Sequence, residues 1–302
     1  MRWLAGAAFF LMAACAAAEP PRHGDDYHPP HEHGEVVVPQ PVMLECAGAM
    51  TQGGVALCRT NPGAELRIGG EGVGHADANG WAVIGFNREA PESMRVEAHL
   101  NGISTYDDLA IAPREFDVQR IDGLPQQTVT PTDPAVLERI SREAALKREA
   151  FTSQAPMTGF LDGFIMPVDG GVVTGRWGNQ RILNGVPSTP HFGYDIAVPA
   201  GTPIRAPAAG VVTLANPDMH YEGGLVFIDH GQGLITMYLH MSRLDVRVGD
   251  VVSQGQVIGA VGASGRATGP HLCWRMRWRE RQLDPSIAVE GLATARAELI
   301  QH

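Results

Sequence analysis

Three short segments in the second half of the chain carry residue types that bind metals and move protons: His191-Phe-Gly-Tyr-Asp195, Tyr238-Leu-His240 and His271-Leu-Cys273. Imidazole nitrogen, carboxylate oxygen and thiolate sulfur are the donors from which zinc sites are made, and a catalytic zinc site keeps three protein ligands with a fourth position open to water. His191 and Asp195 supply two donors from one segment, so a second strand has only to supply the third. Taken singly, a histidine on a strand surface is expected to be inert. Taken together, three histidines, an aspartate and a thiol on polar strand faces point to a metal site with proton-transfer groups beside it.

The elements that must position these residues follow a period of two, which sorts side chains onto opposite faces of a strand. In HFGYDIA, His191, Gly193 and Asp195 share one face. In ITMYLHM, the apolar Ile235, Met237, Leu239 and Met241 alternate with Thr236, Tyr238 and His240. In HLCWRMRW, Leu272, Trp274, Met276 and Trp278 form the core side, which leaves His271, Cys273, Arg275 and Arg277 opposite. The predicted fold is mainly β: a small β-sandwich over 42–125, a helical connector over 126–158 and a C-terminal antiparallel β domain over 159–288 that holds the chemistry, followed by a tail, 289–302. Asp133-Pro134 predicts the start of the connector helix, with Val136, Leu137, Ile140, Ala144 and Phe151 as its apolar positions. His220 and His230 are expected to be structural.

The formal net charge of -10 argues against nucleic acid as a partner. Residues 1–18 read as a secretory signal: Arg2, an apolar run and small residues, too short to span a membrane. Met12-Ala-Ala-Cys15 resembles a lipobox that would leave Cys15 lipidated and anchor the protein to the outer membrane, while Ala16-Ala-Ala18 offers an ordinary cleavage site. Both outcomes place the protein outside the cytoplasm, in the periplasm. Residues 19–41 are rich in proline and histidine and read as a disordered tether rather than a metal-capture segment. In an oxidising compartment Cys46 and Cys58, close together among turns, are expected to pair, which leaves Cys273 without a partner thiol.

The motifs His191-x-Gly-x-Asp195, Tyr238-x-His240 and Gly269-Pro-His271-x-Cys273, in this order and with VRVGDVVSQGQVIGAVGASG between the last two, resemble the lysostaphin-like zinc metallopeptidases that cut peptide cross-links of peptidoglycan. The resemblance covers roughly residues 164–285. It implies a zinc cofactor with His191 and Asp195 as ligands, His271 as general base and His240 as its partner stabilising the oxyanion. The family's usual third ligand is a histidine, and Cys273 stands in its place. A thiolate is a good zinc ligand, but with Asp195 it cancels the charge of the ion, so slower catalysis near neutral pH is expected. The substitution also raises an alternative: a catalytically degenerate regulator that binds and activates peptidoglycan amidases, with an amidase or a divisome protein as partner. The VRVGDVVSQGQVIGAVG segment resembles biotin and lipoyl carrier hairpins as well. Such carriers need a lysine at the turn, and the only lysine, Lys147, falls in the predicted helix.

Overall fold

Turn chemistry divides the first part of the chain into short strands. At Asp77-Ala-Asn-Gly80 the Asp77 Oδ1 accepts hydrogen bonds from the Asn79 and Trp81 amides, each 2.8 Å long, and the chain reverses there. In the computed structural model, which describes residues 41–301, seven strands result: β1 (Leu44–Gly48), β2 (Val55–Thr60), β3 (Glu65–Ile68), β4 (Glu71–His75), β5 (Trp81–Gly85), β6 (Ser93–Leu100) and β7 (Ile103–Ala110). They form two antiparallel sheets, ordered β1-β2-β5 and β4-β3-β6-β7. Cys46 and Cys58 are directly opposed across β1 and β2 and are disulfide-bonded. The signal segment 1–18 with Cys15 and, but for Pro41, the tether 19–41 lie outside the described residues.

Strand β8 (Val118–Ile121) and the one-turn helix α1 (Gln126–Val129) lead to the connector helix α2 (Pro134–Ala150), which begins where Asp133 Oδ1 accepts from the Ala135 amide. The helix is mostly solvated: Leu137 and Leu146 are exposed. Polar contacts and its C-terminal end hold it in place. Glu143 accepts from the His220 amide at 2.8 Å, Lys147 pairs with Glu222, and Phe151 stacks on Phe227 with ring centroids 4.9 Å apart. Among the described residues no helix is long and apolar enough to cross a membrane.

The remaining strands are β9 (Val172–Gly175), β10 (Gln180–Leu183), β11 (Val186–Pro187), β12 (Tyr194–Ala197), β13 (Pro203–Arg205), β14 (Gly210–Met219), β15 (Gly223–Asp229), β16 (Leu234–Leu244), β17 (Val251–Val252), β18 (Val257–Val261), β19 (Leu272–Trp278) and β20 (Arg281–Leu283), followed by helix α3 (Pro285–Ile300). The main sheet runs β17-β14-β15-β16-β19-β12-β9, with β18 on β13 and β16, and β20 on β19. A small third sheet pairs β8 in parallel with β10, which brings a segment from before the connector beside the main sheet.

Two expectations change. The stretch 289–302 is not a tail, because Ala288, Leu292, Ala295 and Leu299 repeat at helical spacing and α3 buries them against β1 and β2. Nor is the β-sandwich read over 42–125 packed as a separate domain: beyond a small cluster of Val42, Ala64 and Ala98, most of its buried apolar residues belong to a shared core. One continuous cluster of buried residues joins Leu57, Ile84 and Phe86 to Trp274, Trp278, Leu283 and Leu292. Asp284 ties the same seam: its amide donates to Gly53 O at 2.7 Å and its carboxylate pairs with Arg114 at 2.9 Å.

Candidate metal centre

Register brings two of the three donors together. Asp195 on β12 lies directly opposite Cys273 on β19, and Cys273 lies opposite Leu239 on β16, so Asp195 and Cys273 share a face. His191 precedes β12 in a loop, outside the strand in which the alternation would place it. It is fixed by its amide donating to Asn179 O and its carbonyl accepting from Gly178 N. The donor atoms of His191, Asp195 and Cys273 all lie within 4.8 Å of one another, and all three residues are buried.

These residues fit a metal ion. His191 Nε2 and Asp195 Oδ1 stand 3.0 Å apart without hydrogen-bond geometry, and both are buried polar atoms with no partner. Buried atoms of this kind are costly unless something binds them. The backbone also makes room: a Cβ on Gly193 would sit 2.6 Å from Cys273 Sγ and 3.1 Å from His191 Nε2. Nitrogen, carboxylate oxygen and thiolate sulfur together are a borderline-soft donor set of the kind zinc takes.

Burial lowers the pKa of His191 to about 4, so the ring is neutral near pH 7 and its contact with Asp195 is not an ion pair. Burial pushes the Asp195 carboxyl up, but His191 and Arg181 together outweigh that and hold it below the usual carboxylate range. Burial first, and the Asp195 charge second, push the Cys273 thiol up to about 12. Two guanidiniums surround this trio. Arg181 donates to Asp195 Oδ2 at 2.7 Å, leaving Oδ1 for the site, and Arg275 Nε donates to Cys273 Sγ at 3.5 Å. The expectation of a poorly polarising ion counted ligands alone; Arg181 and Arg275 return two positive charges to the same volume.

His240 and His271 stand beside the trio with ring centroids 4.7 Å apart. Alternation places His240 on the Tyr238 face, opposite Cys273, and the structure departs from it. Thr236 and Tyr238 turn into the core, where His230, Thr236 and Tyr238 form a hydrogen-bonded chain with two 2.7 Å links. His240 has φ 64°, a left-handed conformation, at the point where β16 leaves β19 and continues along β18. That break in the pleat turns its side chain toward the cleft lined by Asp195, His271 and Cys273.

Each of the two rings has its Nδ1 on a backbone carbonyl, His240 on Ser264 O at 2.8 Å and His271 on Gly269 O at 2.9 Å. A carbonyl only accepts, so Nδ1 carries the hydrogen in both and each Nε2 is left as an acceptor. Burial, then the neighbouring His271, lower His240 to about 3. The cleft wall also includes Gln119 and Ile121 of β8, Tyr221 and Arg266. The roles of Arg181 and Gln119 are invisible in the sequence, because they reach the site from distant strands. Arg275 is two residues from Cys273 on the same strand face, and that spacing was available as a signal.

The family model for peptidase family M23 matches residues 189–285. Peptidoglycan DD-endopeptidase ShyA of Vibrio cholerae is 43% identical over 106 residues, covering 35% of this chain and 24% of that protein. The chain therefore spans about a quarter of the length of this curated relative. The catalytic domain of lysostaphin from Staphylococcus simulans is 28% identical over 42% of this chain and 89% of that chain, with a TM-score of 0.32. The crystal structure of a Pseudomonas aeruginosa protein assigned to peptidase M23 is 32% identical, covers 80% of this chain and 95% of that chain, and superposes with a TM-score of 0.61. That likeness extends through the sandwich and the main sheet alike, and with the matching motifs it makes this chain a member of peptidase family M23.

Proposed function

We propose that this protein is a zinc-dependent endopeptidase that cleaves peptide cross-links of peptidoglycan. The observation that carries the reading is the convergence of His191, Asp195 and Cys273 donor atoms beside two histidines whose Nε2 atoms are both left as acceptors. The name of the similar ShyA supports the substrate class. A substrate outside the cytoplasm agrees with the signal-like N-terminus and with a periplasmic location, where Cys15 could supply an outer-membrane anchor. Residues 42–125 would act as an accessory part, joined through 126–158 to the peptidase part at 159–288.

Bound by His191, Asp195 and Cys273, zinc would polarise the scissile carbonyl and make water nucleophilic at neutral pH. His271 Nε2 takes the proton of the attacking water and returns it to the leaving amine, so the chain ends the cycle unchanged. His240, buried and held neutral, cannot donate to an oxyanion while its hydrogen is engaged with Ser264 O. Its free Nε2 is an acceptor facing the cleft, suited to orient the attacking water or a substrate N–H beside His271. Arg181 fixes the Asp195 carboxylate and Arg275 supports the Cys273 sulfur, each holding a ligand in place. The reading as a degenerate regulator loses support here, because the thiol preserves a complete donor set.

The test is cleavage of a soluble cross-linked muropeptide dimer. Chelation should abolish it and zinc should restore it. His271→Ala should keep the metal and lose at least about a hundredfold in rate. His191→Ala should lose both. Cleavage by the metal-free protein, or full zinc occupancy in His191→Ala, would remove the reading.

A further inference from the structure

A second groove opens at the far end of β19 from the metal centre, between the end of α2, strand β4 of the sandwich and the β19–β20 hairpin. Its lining includes Arg148, Arg277, Arg279 and Arg281, set against only two carboxylates, Glu71 and Glu280. This concentration of guanidiniums stands out in a chain of net charge -10. Arg277 is engaged already: it donates to Glu280 and lies 4.1 Å over the Phe151 ring. Among the described residues Arg148, Arg279 and Arg281 make no ion pair, and Arg279 Nε is buried with no partner. Arg279 and Arg281 both stand over the Trp278 ring, at 5.6 and 5.3 Å from its centroid; burial and then the Arg281 charge disfavour the charged form of Arg279, while burial disfavours that of Arg281 against the pull of Glu71. Glu71 offsets part of the charge at Arg281, but among the described residues no carboxylate is paired with either guanidinium, and two half-buried like charges left so cost free energy that a bound anion would return.

We propose that this groove is a second binding site, for the carboxylate groups carried by peptidoglycan peptides, with Arg148, Arg279 and Arg281 as the side chains that contact them. The proposal rests on the reading of the substrate as peptidoglycan. Cys273 and Arg279 are six residues apart along one strand and its turn, roughly 20 Å at about 3.4 Å per residue, so a ligand here is a different part of the polymer from the peptide being cut. Flat guanidinium forks beside aromatic rings suit planar carboxylates, and Glu71 and Glu280 at the rim disfavour a doubly charged phosphate. The groove also gives the sandwich a task, since β4 forms one of its walls.

The test is co-sedimentation of zinc-loaded protein with purified sacculi, in a His271→Ala background so that the polymer stays intact. Arg148→Glu on the exposed helix surface, and separately Arg279→Gln with Arg281→Gln, should weaken binding by roughly tenfold. Sacculi whose peptide carboxylates have been converted to methylamides should bind the unaltered groove as weakly as the variants bind native sacculi. Vesicles containing phosphatidylglycerol should not sediment the protein. With His271 restored, Arg148→Glu should cut the soluble dimer at the native rate within about twofold. Arginine-dependent sedimentation without any dimer cleavage would support the groove while removing the peptidase reading. Native-like sedimentation of Arg148→Glu, undiminished binding to amidated sacculi, or arginine-dependent binding to vesicles in place of sacculi would overturn the proposal.

Discussion

Loading the metal-free protein with zinc should release close to one proton per ion, and that proton should come from Cys273. The thiol is held at about 12 by burial and by Asp195, so at pH 6 to 7 it carries its hydrogen, whereas the ligand form is the thiolate. The other two donors contribute none: His191, lowered to about 4, is neutral and the Asp195 carboxyl is ionised. The sign follows. Each unit rise in pH makes the thiolate tenfold more available, so apparent zinc affinity should rise about tenfold per unit from about pH 5, above the His191 titration, to about pH 7. Ionising a thiol of that pKa at pH 7 costs on the order of 7 kcal/mol, which remains below the ~10–16 kcal/mol that structural zinc sites supply. Calorimetric titration at pH 6 in two buffers of different ionisation enthalpy counts the protons directly. Release of less than about half a proton, or affinity flat with pH, would mean that Cys273 is not a ligand or is already ionised, and the reasoning would fail.

Gly193→Ala would put a methyl group 2.6 Å from Cys273 Sγ, so zinc occupancy after dialysis should fall sharply while circular dichroism stays native. Arg181→Gln removes the donor to Asp195 Oδ2, and zinc affinity measured against a chromogenic chelator should weaken by about 10- to 100-fold. Leu292→Ala hollows the fully buried face of α3 and should cost about 3 kcal/mol, read from denaturant unfolding. Because the sandwich and the main sheet share that core, the loss should appear as one cooperative transition; two separate transitions would contradict the shared core.

The Asp195–Cys273 pair of donors was legible because period-two alternation survives in β12 and β19: Leu272, Trp274, Met276 and Trp278 face the core, and Asp195 and Cys273 meet on the other side, whereas His191 joins them from a loop that alternation does not describe. Alternation failed at His240, where a left-handed residue breaks the pleat, and no pattern of polarity announces such a break in LITMYLHM. Thr236 and Tyr238 read as polar surface yet are buried, since each hydroxyl finds a partner along the His230 chain. Helix α3 begins with the same Asp-Pro signal as α2, at Asp284-Pro285, but its buried repeat of Ala288, Leu292, Ala295 and Leu299 is blurred by apolar residues on the outward face, Ala293, Ala297 and Ile300. The shared core was hidden for a different reason: contacts such as Gln232 donating to Trp81 O join residues 151 positions apart, and local sequence carries no trace of them.

The central claim is tested most directly by incubating zinc-loaded protein with purified sacculi and identifying the soluble products by mass spectrometry. Cross-linked dimers should disappear with a matching gain of monomers bearing a new free amine, and His271→Ala should lose that activity while keeping its zinc. Sacculi left fully cross-linked by both the native protein and Cys273→His, together with stimulation of a purified amidase by the native protein, would contradict it.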